Sequence, residues 1–207
     1  MKIALVLCLL SVLVLSSCSD SSAPPEDKPV YTGQLVPMQV GNYWAYLGTI
    51  YNPDGTMNST YPDTITILSK TSFRGFDAYY CREKSVGGND FLYYYDHDTL
   101  NQVSLPDSGY ISPMIYPMTE GQEIILAENT QQNYKLTLKL DSLATPVDMG
   151  FEKFTGLKYR TTQISSGATL TVLDYYELGF GQLKHQVYNN AGVLMSKLEL
   201  VGYHVVK

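Results

Sequence analysis

YKLTLKL, residues 134–140, alternates without a break: Tyr134, Leu136, Leu138 and Leu140 fall on one side, Lys135, Thr137 and Lys139 on the other. Successive side chains of an extended strand point to opposite faces, so this pattern fits a strand with one face in a core and one in water. A helix would need apolar residues three and four apart, and no window of eleven or more residues sustains that spacing. Thr64-Ile-Thr-Ile67 alternates in the same way, and Leu198 and Leu200 alternate with Lys197 and Glu199. The class is therefore all-β.

Between such runs stand turn signals. Asn52-Pro-Asp-Gly55 joins Tyr43–Tyr51 to the stretch around Ile65. Gly87-Gly-Asn-Asp90 joins Ala78–Lys84 to Phe91–Tyr95, and Asn189-Asn-Ala-Gly192 joins Leu183–Tyr188 to Val193–Tyr203. These residues tolerate positive φ or preset a bend. The spacing predicts about nine to eleven strands, mostly antiparallel because the connections are short. Helix is confined to a short turn around Asp141–Phe151 or in the loop containing Pro106 and Pro113. A barrel-like sheet and a β-sandwich both satisfy this strand count.

At the other end of the chain, Met1-Lys2 precedes an apolar run, Ile3 to Leu15, broken only by Ser11. Thirteen residues reach roughly 20 Å as a helix, short of a hydrocarbon core about 30 Å thick, so the run reads as a secretory signal over residues 1–17. Leu15-Ser-Ser-Cys18 closes it and resembles the lipobox of bacterial lipoproteins. That resemblance implies cleavage before Cys18, a diacylglycerol on its sulfur, and an acyl chain such as palmitate on the new amino group. The covalent lipid on Cys18 is the one non-protein group expected, with no other cofactor; two or three acyl chains make anchoring effectively permanent. Residues 18–34 then form a polar tether containing Pro24, Pro25 and Pro29, too poor in apolar area to offset its ordering entropy. Ser19 stands where the common Gram-negative pattern places Asp to retain a protein in the inner membrane. The resemblance therefore implies the outer membrane and leaves its periplasmic face and the cell surface both open. Cys18-Ser-Asp20 also resembles, in part, the acidic export signal of surface lipoproteins in Bacteroidota-like bacteria.

Residues 35–207 are long enough for a single domain with its own core. Losing Lys2 with the signal leaves 13 of the 14 basic residues against 20 acidic ones, a net charge of −7. This excludes a nucleic-acid partner, which would require a basic stripe. With Cys18 as a thioether, Cys81 stands alone and no intrachain disulfide forms. It lies in the strand-like Asp77-Ala-Tyr-Tyr-Cys-Arg-Glu83, with no His nearby in sequence, and reads as a small buried hydrophobe.

Three stretches resemble a loose family of bacterial lipoproteins. One is Pro37-Met-Gln-Val-Gly-Asn-Tyr-Trp-Ala-Tyr46, matching P-x-x-V-G-N-x-W-x-Y. Another is Pro113-Met-Ile-Tyr-Pro-Met-Thr-Glu-Gly121, an apolar-proline stretch followed by Glu-Gly. The third is Tyr175-Tyr-Glu-Leu-Gly-Phe-Gly-Gln-Leu-Lys184, matching Y-Y-x-x-G-x-G-x-[VL]-K, after which Leu194–Tyr203 supplies a closing Leu-rich strand. The chain departs from the family before Tyr159, with Met149-Gly-Phe-Glu-Lys-Phe154 in place of Pro-Ala-Gly-x-Phe. The resemblance implies a curved antiparallel sheet wrapped into a half-open barrel like those of the LolA and LppX carriers. In such a sheet Gly41, Gly179 and Gly181 become bend positions and Trp44, the sole Trp, a core anchor.

Candidate chemistry is sparse. Asp96-His97-Asp98 offers carboxylate and imidazole ligands to a divalent ion. It sits where a hairpin turn is needed, between Phe91–Tyr95 and Leu100–Val103, and lacks the continuation of a calcium loop, so no metal site is expected. His185 and His204 are far from it and from each other, and are expected at exposed or sheet-edge positions. Gly179-Phe-Gly181 is too short for a dinucleotide loop, and no nucleophile elbow, zincin helix or phosphate loop occurs. No catalytic residue is therefore assigned. Eighteen tyrosines, clustered at Tyr79-Tyr80, Tyr93–Tyr95 and Tyr175-Tyr176, suit both sheet packing and contact with sugars or peptides. Phe91-Leu-Tyr-Tyr-Tyr95 is apolar on both faces and needs a central strand, a covered edge or a binding surface. The function expected is a non-enzymatic outer-membrane lipoprotein that carries a hydrophobic ligand or acts as a scaffold. An adhesion or glycan-binding module and an envelope hydrolase are the alternatives, with a hydrophobic ligand, a glycan or an envelope protein as the corresponding partner.

Overall fold

The computed structural model describes residues 33–85, 88–105 and 111–206. The signal segment, Cys18, the tether up to residue 32, Gly87 and Pro106 lie outside the described residues. Twelve strands follow one another: β1 (Tyr43–Tyr51), β2 (Met57–Phe73), β3 (Phe76–Glu83), β4 (Asp90–Asp96), β5 (Thr99–Ser104), β6 (Ile111–Ile115), β7 (Glu123–Asn129), β8 (Tyr134–Asp148), β9 (Lys153–Ser165), β10 (Ala168–Glu177), β11 (Gly181–Tyr188) and β12 (Leu194–His204). All join one antiparallel sheet in the order β6-β5-β4-β3-β2-β1-β12-β11-β10-β9-β8-β7. A single continuous sheet replaces the sandwich alternative, and twelve strands replace nine to eleven.

The two edge strands, β6 and β7, are neighbours in the chain, joined by residues 116–122. The sheet must therefore curl until its edges approach, yet β6 and β7 do not pair and the barrel stays open. Side chain and loop bridge the gap instead. Tyr159 Oη, from β9, donates to the Ile115 carbonyl of β6 at 2.9 Å. Leu140 N donates to Gln122 O at 3.0 Å, and Gly121 N to Leu140 O at 2.7 Å. Both edges are unattractive to a further strand: β6 carries Pro113, which cannot donate, and β7 carries Glu123, Glu128 and a register shift between Ile125 and Ala127.

The expected helical turn at Asp141–Phe151 is strand instead: β8 runs on to Asp148. Two register shifts, at Leu140/Ser142 and Ser142/Thr145, break its alternation and hide it from a period-two reading. Pro113, expected in a loop, lies in edge strand β6. The one helical piece among the described residues is the 3₁₀ turn Thr130–Gln132, whose N–H groups at Gln131 and Gln132 are capped by Asn129 Oδ1.

The concave face holds the core. Leu138 and Leu140 of the opening stretch lie there with Ile67, Phe91, Tyr159, Leu183 and Leu200, and Leu35 and Val36 pack in from the N-terminal side. Phe91-Leu-Tyr-Tyr-Tyr95 is an interior strand with both faces covered. Phe91 and Tyr93 enter the main core, while Leu92 and Tyr94 join Ala78 and Val103 in a smaller cluster on the outer face, flanked by Phe73 and Phe76. Tyr94 stacks on Phe76 at 5.3 Å. Here the tyrosines serve packing.

Candidate functional site

The family-like stretches around Trp44 and Gly181 are 137 residues apart in sequence and meet in space. Trp44 is buried, and its Nε1 donates to Phe180 O at 2.8 Å. Gly181, at φ 122, passes so close that a Cβ there would sit 3.0 Å from Trp44 Nε1. Only glycine takes that backbone shape without strain and leaves room for the indole. Gly41 and Gly179 also have positive φ, 96 and 66, as bend positions should. Asn42 is fully buried: its Nδ2 donates to Pro37 O at 2.9 Å and its Oδ1 accepts from Val206 N at 2.7 Å. These residues build the fold at the end of the half-barrel where the chain enters.

Polar groups gather farther along the same concave face. Tyr46 Oη donates to Gln182 O at 2.9 Å. Burial pushes the phenols of Tyr46, Tyr93 and Tyr176 well above the ordinary tyrosine range; Tyr46 adds to the rise of both others, and Tyr93 to that of Tyr176. On one side stand Asp63 of β2 and Glu83 of β3. Asp63 is buried, its Oδ1 meets no hydrogen-bond partner, and its carboxyl lies within hydrogen-bond reach of the Thr64 backbone N–H and of the Glu83 carboxyl. Two carboxyls can share such a bond only if one keeps a proton; burial first and the Glu83 charge second push Asp63 up to about 6.

On the other side Asp174 Oδ1 accepts from Gln182 Nε2 and from His185 Nδ1, each at 2.7 Å. Burial alone would lower the pKa of His185. The charge and hydrogen bond of Asp174 outweigh it and hold the imidazole above the ordinary histidine value. The expectation of an exposed or edge position for His185 is thus corrected: it is half-buried and paired across the β10–β11 hairpin, where Asp174 faces it in register. Neither this pair nor Asp63–Glu83 was legible in the sequence, because each joins residues from different strands across an irregular register.

The other sequence candidates are dispersed. His97 is at the β4–β5 turn with φ 53, its side chain 93% exposed, and its Nδ1 donates to Asp96 Oδ1 at 2.7 Å. His204 stacks on Tyr43 at 5.8 Å. Cys81 is buried, its thiol pushed up to about 12 by burial, and it donates to Tyr79 O at 3.5 Å. Among the described residues no three His, Cys, Asp or Glu side chains converge as a metal site would need. Chelation is therefore expected to leave the melting temperature unchanged, and His97→Ala to alter stability by no more than about 0.5 kcal/mol. A melting temperature lowered by chelator and restored by one ion would contradict this. A shallow surface depression of about 430 Å³ beside Tyr80 and Leu105 is lined by Glu83 and by Arg82 and Asp90, which pair at 3.1 Å.

Two solved structures share this architecture. One is a Bacteroides fragilis protein described as an exported protein with a YmcC-like fold; it is 12% identical, with a TM-score of 0.50 over 82% of this chain and 98% of its own. The other, described as a lipoprotein of Parabacteroides distasonis, is 12% identical, with a TM-score of 0.51 over 83% of this chain and 99% of its own. Identity this low establishes a shared fold and nothing about activity. No protein-family model matches the chain, and no curated protein matches it.

Proposed function

We propose that this chain is a lipoprotein of the bacterial cell envelope, held at the outer membrane by lipid on Cys18, and that its half-barrel is a non-catalytic scaffold or binding module. Leu15-Ser-Ser-Cys18 carries the reading, placed at the end of an apolar run and followed by a polar tether. The likeness to an exported protein and to a lipoprotein supports it. The concave face, which would be the lumen of a carrier, is occupied by the chain's own Leu35, Trp44, Phe91, Tyr159 and Leu200. That favours a scaffold over a hydrophobic-ligand carrier, whose site needs an apolar cavity of several hundred Å³. A protonated phenol, Tyr176, near the His185–Asp174 pair and a protonated, buried Cys81 thiol with no His partner among the described residues favour a non-catalytic role. Cys18→Ala is expected to move the protein entirely out of the membrane fraction, and mass spectrometry of the wild-type N-terminal peptide to show the acylated diacylglyceryl cysteine. Retention of Cys18→Ala in membranes after a high-salt wash would overturn the anchor.

A further inference from the structure

We infer that the end of the half-barrel where the chain enters is a membrane-docking surface, seated against the lipid headgroups by Phe151, Tyr203, Tyr43 and Val40. The inference rests on the lipid anchor at Cys18.

Geometry supplies the first part. Fourteen residues, 19–32, separate Cys18 from Gly33. Fully extended they span about 50 Å, so an anchored domain remains near the bilayer. The point of arrival is fixed: Gln34 O accepts from Gly179 N, Val36 N donates to Tyr95 Oη at 2.9 Å, and Leu35 and Val36 are buried. The tether thus joins the domain beside the β10–β11 turn and the start of β1, so the lipid is tied to this end of the sheet.

Its surface chemistry supplies the second part. Hairpin tips normally select polar residues, and those at the opposite end of the sheet obey: Asn52-Pro-Asp-Gly55, Ser166-Gly167 and Asn189-Asn-Ala-Gly192. On the half where the chain enters, the β8–β9 tip is Met149-Gly-Phe-Glu152 and the β10–β11 tip Leu178-Gly-Phe180. Phe151 at that tip is 49% exposed with Tyr203 beside it, and Val40 and Tyr43 are exposed at the same end of the sheet. The patch is stiff. Phe151 lies 6.5 Å from Tyr203 and 6.3 Å from Phe154, Tyr203 meets Phe180 edge-on at 4.5 Å, and Tyr203 Oη donates to Glu152 at 2.9 Å. Phenylalanine and tyrosine held in this way, apolar body outward and polar tip satisfied, match the water–lipid boundary. The polar turns at His97 and Arg74, on the β2–β5 half of the same end, bound the patch. With Lys153 next to Asp148 and Glu152 the tip carries no basic excess, so contact is apolar and insensitive to salt, not a basic attraction to anionic lipid.

The test uses lipidated full-length protein in vesicles of phosphatidylcholine and phosphatidylethanolamine. Phe151→Cys, labelled with a polarity-sensitive dye, is compared with Met57→Cys, at the start of β2 opposite Tyr51 and 65% exposed. Buried Cys81 and lipid-capped Cys18 leave the introduced thiol as the reactive one. The expected result is a blue shift at position 151 and several-fold stronger quenching by headgroup-region nitroxide lipids than at position 57, unchanged in high salt. Equal quenching at both positions, or none at 151 although Cys18 carries lipid, overturns docking and leaves the anchor intact. Shielding of 151 in cells without quenching in vesicles assigns the patch to a protein partner and also overturns it. A Cys18 found without lipid overturns the anchor and the docking together.

Discussion

Trp44→Ala is expected to destabilise the domain by about 3–5 kcal/mol, the cost of removing a large aromatic side chain from a packed core. The indole is 2% exposed. It seats against the turn that carries Gly181, donates its N–H to Phe180 O, and so ties β1 to the β10–β11 turn. Alanine would leave a cavity, and Phe180 O would lose its donor in a place water reaches poorly. Because β1 pairs with both β2 and β12, it joins the halves β2–β6 and β12–β7 of the sheet, and loosening it touches both. The measurement is the denaturant midpoint followed by circular dichroism, since the variant has no tryptophan to report. Native wild-type emission should be blue-shifted. A loss below about 1 kcal/mol, with wild-type emission like that of free indole, would put Trp44 at the surface.

The sequence made the local rules legible. Tyr134–Leu140, the turns at Asn52–Gly55 and Asn189–Gly192, and the hairpin position of His97 follow from alternation and turn chemistry, which depend on neighbours in the chain. Curvature was reached through the resemblance, and its physical basis is now visible: Gly181 bends where Trp44 must fit. The misses share a cause. A register shift adds a residue to one strand, so every alternation beyond it changes face; this hid the second half of β8. The same kind of shift, between Ile67 and Ser69, stands in the β2–β3 pair that brings Asp63 toward Glu83, twenty residues on. Another, between Tyr175 and Tyr176, stands in the hairpin that puts His185 opposite Asp174. A period-two reading finds strands and their faces. It does not find which strand lies alongside, and the polar cluster is made wholly of such cross-strand pairs.

Asp63→Asn is expected to stabilise the protein near neutral pH and to leave it almost unchanged in acid. Asp63 faces Tyr46 of β1, Tyr61 of β2, Glu83 of β3 and, through Glu83, Tyr93 of β4; none of these is a cation, and the one group that favours its ionised form, the Thr64 backbone N–H, is outweighed. Burial and the Glu83 charge raise its folded pKa to about 6, above the ordinary aspartate value of 3.8. Between those two values the folded state binds more protons than the unfolded state, so stability falls as pH rises through this window. Above about pH 6 the penalty is complete, on the order of 1–2 kcal/mol once solvent screening is allowed for. Asparagine keeps the shape, carries no charge, and can donate to the Glu83 carboxylate without borrowing a proton. The quantity to measure is the stability of Asp63→Asn minus that of the wild type, at several pH values. Taking the difference cancels His185, whose raised pKa contributes stability that is present below its unfolded value and lost as pH rises through its folded one. It also cancels Asp90 and Glu199, whose lowered values contribute stability that is lost in acid. The difference should be near zero below about pH 4 and grow to its full size between about pH 4 and 6. A variant less stable than the wild type at neutral pH would show instead that the ionised Asp63 is held by a favourable partner, and that the two carboxyls do not share a proton.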